Sequence, residues 1–183
     1  MKKLSNLKLI LIALCASINI VGSFIALNLR LPIYLDAIGT LFSTFLLGIP
    51  CGIATCVISG LAAAIAFDPV SLFFIPVQVV LVIASGIMYK SKFLQGYKFI
   101  LGVAIITLFA SASGSIVATY VFGGVTSSGS SYIVALLKYT KMSLFMRVFI
   151  VQYLTDFCDK LVGILISLSC LKYIPLNIKI KLK

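Results

Sequence analysis

Six apolar stretches follow one another along the chain with only short polar breaks, a pattern that leaves no folded face to turn toward water. They run over about 8–28, 35–48, 51–67, 71–89, 99–122 and 142–171, the start of the last being open between 133 and 143. A helix that crosses a bilayer needs about 20 apolar residues. Six such helices with short connections fit a chain of 183 residues as one domain, 1–183. The fold expected is therefore an all-α membrane protein, a bundle of six transmembrane helices. Composition points the same way, with 62% hydrophobic and only 10% charged residues. A soluble domain carries about 25% charged residues, and a chain this apolar would show large sticky patches to water.

The breaks are of recognisable kinds. Asn28-Leu29-Arg30-Leu31-Pro32 ends the first stretch, Gly48-Ile49-Pro50 the second and Asp68-Pro69 the third, each with Pro or a turn residue that stops a helix. Residues 90–98 form a basic linker, and Gly123 to Ser131 is a flexible stretch rich in Gly and Ser. Small residues recur four apart, as in Ala13 and Ser17, Gly22 and Ala26, Cys56, Gly60 and Ala64, and Ser111, Ser115 and Thr119. That spacing lets helix backbones approach closely in lipid.

A formal net charge of +11 would suit a nucleic-acid binder if the charges formed a patch, but they do not. Lys2, Lys3 and Lys8 open the chain, Lys90, Lys92 and Lys98 sit in the linker, and Lys172, Lys179, Lys181 and Lys183 close it. Clusters between apolar runs mark cytoplasmic loops. Both termini and the 90–98 linker are accordingly expected inside, and 29–34, 67–71 and 123–140 outside, with Arg30, Lys138, Lys141 and Arg147 as exceptions near the outer side. Nucleic acid is not an expected partner; the lipid bilayer is. Lys2 and Lys3 before an apolar run also resemble a signal peptide. The run from Leu9 to Leu27 is long enough to span, however, and Leu14 before Cys15 does not suit a lipoprotein cleavage site, so a retained first helix is expected.

Chemistry is confined to few residues. The chain has no His and no Glu, and its four acidic residues are Asp36, Asp68, Asp156 and Asp159. Without His or Glu, most acid–base schemes and metalloprotease chemistry lack their usual actors. Neither a phosphate-binding G-x-x-x-x-G-K-[ST] loop nor a G-x-S-x-G nucleophile turn occurs. The five cysteines lie in or beside apolar segments with no metal-ligand spacing, as small buried side chains do. No enzyme activity, metal or cofactor is expected.

An Asp near the bilayer centre costs about 2.5–3.5 kcal/mol on insertion scales, so it must face a partner or a wet cavity. Gln152, Asp156 and Asp159 fall at i, i+4 and i+7, in one narrow stripe of the last helix, with Lys160 at its edge. Lys160 is expected to form a structural ion pair with one of the two Asp, Asp159 being the nearer candidate. Asp156, one turn below Gln152, is the better ligand contact, and Arg147 on the opposite side suits snorkelling to the interface. Gln78 and Asn19 are brought to the outer half by the same topology, while Asn28, Tyr34 and Asp36 flank the first outer connection. Asp68 before Pro69 suits a cap for the following helix.

Several stretches together resemble the substrate-binding S components of energy-coupling factor (ECF) transporters. They are Leu31-Pro32-Ile33-Tyr34-Leu35-Asp36-Ala37-Ile38-Gly39-Thr40, Leu47-Gly48-Ile49-Pro50-Cys51-Gly52, Phe67-Asp68-Pro69-Val70-Ser71 and Asp159-Lys160, within a chain of matching size and segment number. The resemblance implies a multi-pass protein of a prokaryotic cytoplasmic membrane that captures a vitamin or similar micronutrient from outside. It further implies docking on a transmembrane coupling subunit driven by two ATPase subunits, and toppling in the membrane to release the solute inward. The family's Ala-x-x-x-Ala docking stripe on helix 1 is matched by Ala13 and Ser17, with Ser in place of the second Ala. The 29–35 connection resembles the loops that close over the ligand.

The substrate site expected from these residues comprises Asn28, Tyr34, Asp36, Gln78, Gln152, Tyr153 and Asp156, the two tyrosines stacking on or capping the solute. Acceptors outnumber cations there, which speaks against a strongly anionic ligand and favours a base- or nucleoside-like solute over cobalamin or another vitamin. The alternative class is a membrane enzyme or scaffold with no transported ligand.

Overall fold

A computed structural model describes residues 6–175, and every regular element in that range is helical. Seven α-helices occur: α1 Asn6–Asn28, α2 Ile38–Leu47, α3 Ile49–Ala66, α4 Ser71–Lys90, α5 Phe99–Tyr120, α6 Ser130–Leu136 and α7 Leu144–Tyr173. Four stretches, Asn6–Asn28, Ile49–Ala66, Ser71–Lys90 and Gly96–Tyr120, are long and apolar enough to cross a membrane. The chain is thus a multi-pass membrane protein. α7 is the longest at 30 residues, about 45 Å at 1.5 Å per residue, but Asp156, Asp159 and Lys160 interrupt its apolar character midway.

The bundle turns apolar side chains outward and buries many polar ones. Ile10, Leu14, Ile18, Val21 and Ile25 of α1 are each more than two-fifths exposed. The interior, by contrast, holds Asn19, Thr40, Ser43, Thr55, Ser59, Ser111, Ser115, Gln152, Asp156, Asp159 and Lys160. Lipid solvates the first set without cost, and the second set is buried because its hydrogen-bond partners are inside. α1, α3, α4, α5 and α7 pack in that order around α2, which touches α1, α3, α4 and α7. An apolar core fills one half of the bundle around Leu41, Phe45, Leu81, Val103, Ile106 and Ile164. A smaller cluster of Ala118, Val134, Val148 and Val151 seals the side where α6 lies.

Local sequence explains the turns. Gly48 separates α2 from α3 with φ +95°, a conformation that costs glycine little. Pro50 then falls in the first turn of α3, where its missing N–H is not needed; α3 therefore starts at Ile49, before the Pro expected to precede it. Leu35 adopts φ +53°, so α2 begins at Ile38 and not at 35. Beyond α5, backbone bonds from Gly123 to Thr119 and from Gly124 to Ala118 close the helix end. The Gly/Ser-rich connection is less loose than its composition suggests. Ser128 Oγ accepts from the Ser130 N–H at 3.2 Å, and seven residues of α6 follow, anchored by buried Val134. This short helix is the element beyond the six expected, and it is far too short to span. Ser143 then caps α7 by accepting from the Met146 N–H at 3.4 Å.

α1 and α2 meet most closely at Gly39, where any Cβ would run into the Cys15 carbonyl oxygen. Overpacking of a tight contact costs about 1–3 kcal/mol. Gly39→Val is accordingly expected to lower the thermal unfolding midpoint of the detergent-solubilised protein by several degrees.

Candidate functional site

A cavity of about 120 Å³ lies between α1, α3, α4, α5 and α7, beneath the connections 29–37, 67–70 and 126–128. Its shape follows from small side chains, since Gly60 and Ala63 of α3 and Ala110 and Gly114 of α5 line it. Its polar character comes from Asp36, Gln78, Gln152, Asp156 and Lys160.

The 29–37 connection is held down by one carboxylate. Asp159 Oδ1 accepts from the Leu35 N–H at 2.9 Å, and Asp159 Oδ2 accepts from Lys160 Nζ at 2.7 Å. Leu35 is a non-glycine residue in the left-handed region, which costs about 1–2 kcal/mol and persists only where surrounding contacts hold it. Both members of the Asp159–Lys160 pair are buried. The Lys160 ammonium also lies 5.7 Å from the centre of the Tyr34 ring, within cation–π range. At the far end of this connection α2 begins, and Asn19 of α1 completes it. Asn19 accepts from the Gly39 N–H at 2.7 Å and donates to Thr40 Oγ1 at 2.7 Å. Asn19 therefore ties α1 to α2 with its own polar atoms satisfied.

On the opposite wall, α5 and α7 form a two-rung ladder. The Ser115 hydroxyl shares its one proton between Gln152 Oε1 at 2.8 Å and the Ser111 carbonyl at 2.6 Å, and Ser111 donates to Asp156 Oδ2 at 2.7 Å. Both pairs are four residues apart on their helices, so two antiparallel helices present matching polar groups at the same interval. Asp156 Oδ1 and Gln152 Nε2 make no hydrogen bond among the described residues, and both residues line the cavity. A third polar pair comes from α4: Gln78 Nε2 donates to Asp36 Oδ2 at 2.6 Å. Asp36 Oδ1 and Gln78 Oε1 are buried without a partner.

Asp68 closes the rim. It accepts from the Val70 N–H at 3.3 Å and from the hydroxyls of Ser71 at 2.8 Å and Ser127 at 2.9 Å. It thus holds the turn leading into α4 and fastens the 126–128 connection to it.

Of the residues singled out from sequence, Tyr34, Asp36, Gln78, Gln152 and Asp156 all line the cavity, together with Lys160. Asn28 and Tyr153 do not. Asn28 is exposed at the end of α1, where its amide donates to the Phe24 carbonyl at 2.7 Å. Tyr153 follows Gln152 by one residue, about 100° around the helix, and stacks on Phe149 at 6.1 Å instead. Ala13 and Ser17 are exposed on the outer face of α1, with the Ser17 hydroxyl bonded to the Ala13 carbonyl at 3.0 Å. Ser111 and Ser115 have more to do than pack, and their signal in the sequence was the shared four-residue interval with Gln152 and Asp156. No cluster of three metal-ligating side chains occurs among the described residues.

No protein-family model, curated protein or solved structure matches the chain. Its class is defined by its own features: a helical multi-pass membrane protein with a polar cavity among its helices.

Removing one partner of a buried ion pair costs about 3–5 kcal/mol, because the other charge is left uncompensated. Asp159→Leu is therefore expected to lower stability by that order, measured by denaturation in detergent. Adding Lys160→Met to it should recover much of the loss.

Proposed function

We propose that this chain is the solute-capture subunit, or S component, of an ECF-type importer in a prokaryotic cytoplasmic membrane. In this reading α1, α2, α3, α4, α5 and α7 are six crossings, with both termini and the 90–98 linker on the cytoplasmic side. The clusters of Lys around those segments support that direction. The connections 29–37, 67–70 and 126–128 then face outward, above the cavity.

The observation that carries the reading is the cavity itself. It combines small residues that make room with polar groups that hold unused hydrogen-bonding capacity. That arrangement suits a small solute bound by a few placed contacts. A chain without an ATP-binding loop needs an external engine to complete import, hence a coupling subunit and two ATPase subunits as partners. The exposed Ala13 and Ser17 stripe of α1 is the proposed contact for the coupling subunit, since small residues four apart accept a close-packed helix. The solute is a vitamin or related micronutrient, nearer to a base or nucleoside in its polar groups than to cobalamin.

Asp156 is the central test. Asp156→Asn is expected to weaken binding of the solute that co-purifies with the protein by about tenfold or more, the worth of one charged hydrogen bond. Titration of the purified, still-folded variant reads this out, and unchanged affinity removes Asp156 from the site. The docking stripe separates from binding in a second test. Ala13→Leu with Ser17→Leu is expected to abolish uptake in cells while leaving solute binding by the purified subunit intact.

A further inference from the structure

All four acidic residues of this strongly basic chain come together at one place. Asp36, Asp68 and Asp156 line the cavity, and Asp159 stands directly behind it, paired to Lys160. Among the basic residues that the structure describes, Lys160 alone is found in the cavity lining. The Asp159–Lys160 pair is neutral as a unit, and Asp68 at the rim is engaged by Ser71, Ser127 and the Val70 N–H. Asp36 and Asp156 are left without a cation of their own.

Most of the unused hydrogen-bonding capacity has the same sign, the Gln152 Nε2 donor excepted. Asp36 Oδ1 and Gln78 Oε1 are buried acceptors with no donor, and they belong to side chains already joined at 2.6 Å. Across the cavity Asp156, only 7% exposed, has one carboxylate oxygen held by Ser111 and the other without a partner among the described residues. The remaining buried orphan atoms, on Thr107, Thr119 and Arg147, lie outside the cavity lining. With free acceptors on Asp36, Gln78 and Asp156 against one free amide donor on Gln152, the cavity calls chiefly for donors, and its two unpaired carboxylates favour positive charge. Tyr34 and Phe74 also line it, the Tyr34 ring with Lys160 5.7 Å from its centre and the Phe74 ring stacked on Phe122 at 6.3 Å.

Resting on the capture reading above, we infer that the solute is a small cation with N–H donors, of the amidinium or protonated amino-heterocycle class. Its donors meet the free oxygens of Asp36, Gln78 and Asp156, and its charge offsets one of two buried carboxylates that are costly unpaired. An anion would face both carboxylates with only the Gln152 amide and an ammonium already bound to Asp159 to receive it. A neutral hydroxylated solute would satisfy the acceptors and leave the charge uncompensated. The volume of about 120 Å³, below the roughly 150 Å³ of a cavity known to hold benzene, limits the solute to a compound of at most one ring.

Three nearly isosteric probes test the charge on the unmodified protein: benzamidine, a cation; benzamide, neutral; and benzoate, an anion. Titration of the detergent-solubilised subunit is expected to show benzamidine binding at least tenfold more tightly than benzamide, with no binding of benzoate. Asp36→Asn and Asp156→Asn, on different elements, should each weaken benzamidine at least tenfold and benzamide by less, so that the preference for the cation shrinks. Benzamide or benzoate binding as well as benzamidine overturns the charge assignment and leaves the capture reading in place. Native mass spectrometry of protein from its own membranes separates the two claims further. A co-purified neutral or anionic solute overturns the cation inference alone. Absence of any co-purified solute, with none of the three probes binding, overturns the capture reading and the inference together.

Discussion

The carboxylate of Asp159 holds two things in place at once. One oxygen neutralises a lysine that lies in the bundle interior, and the other holds the backbone N–H of Leu35 in a conformation unfavourable for a branched side chain. Neither contact is affordable alone in a low-dielectric interior, where an unpaired charge or an orphan amide is costly. Together they tie the connection between α1 and α2 to the middle of α7. The same connection places Tyr34 beside Lys160 and Asp36 beside Gln78.

The anchor works because the bundle keeps its polar groups inside. A lipid environment provides no hydrophobic drive between helices, so their packing is specified by close contact and by hydrogen bonds. Both are present here in matched form. Gly39 allows the backbones of α1 and α2 to touch, and Asn19 then joins the same two helices through Gly39 and Thr40. Ser43 and Thr55 share a hydrogen bond at 2.8 Å between α2 and α3. Polar side chains thus serve in this interior much as interlocking apolar ones do in a soluble core.

Much of the helical layout could be read from the sequence, because long apolar runs bounded by Gly, Pro and charge admit few alternatives. The stripe of Gln152 and Asp156 was legible for a related reason: a carboxylate in an apolar helix must face inward, and helical spacing places Gln152 beside it. What escaped was set by tertiary partners. Nothing local marks Asp36 and Gln78 as a pair 42 residues apart, and α6 forms around Val134, whose burial depends on Ala118, Val148 and Val151. Tyr153 and Asn28 were drawn in by residue type, but their angular positions on α7 and α1 send them elsewhere.

The two rungs between α5 and α7 carry a mechanical consequence. Each helix repeats its polar groups at one interval, so the pairing works like teeth in a rack. Displacing α7 along α5 by one turn, about 5.4 Å, would bring one serine to the wrong partner and strand the other polar pair in an apolar surround. Intermediate displacements would break both rungs together. The α5–α7 wall is thereby fixed in register, and any opening of the cavity must take place through the connections and helices that face this wall.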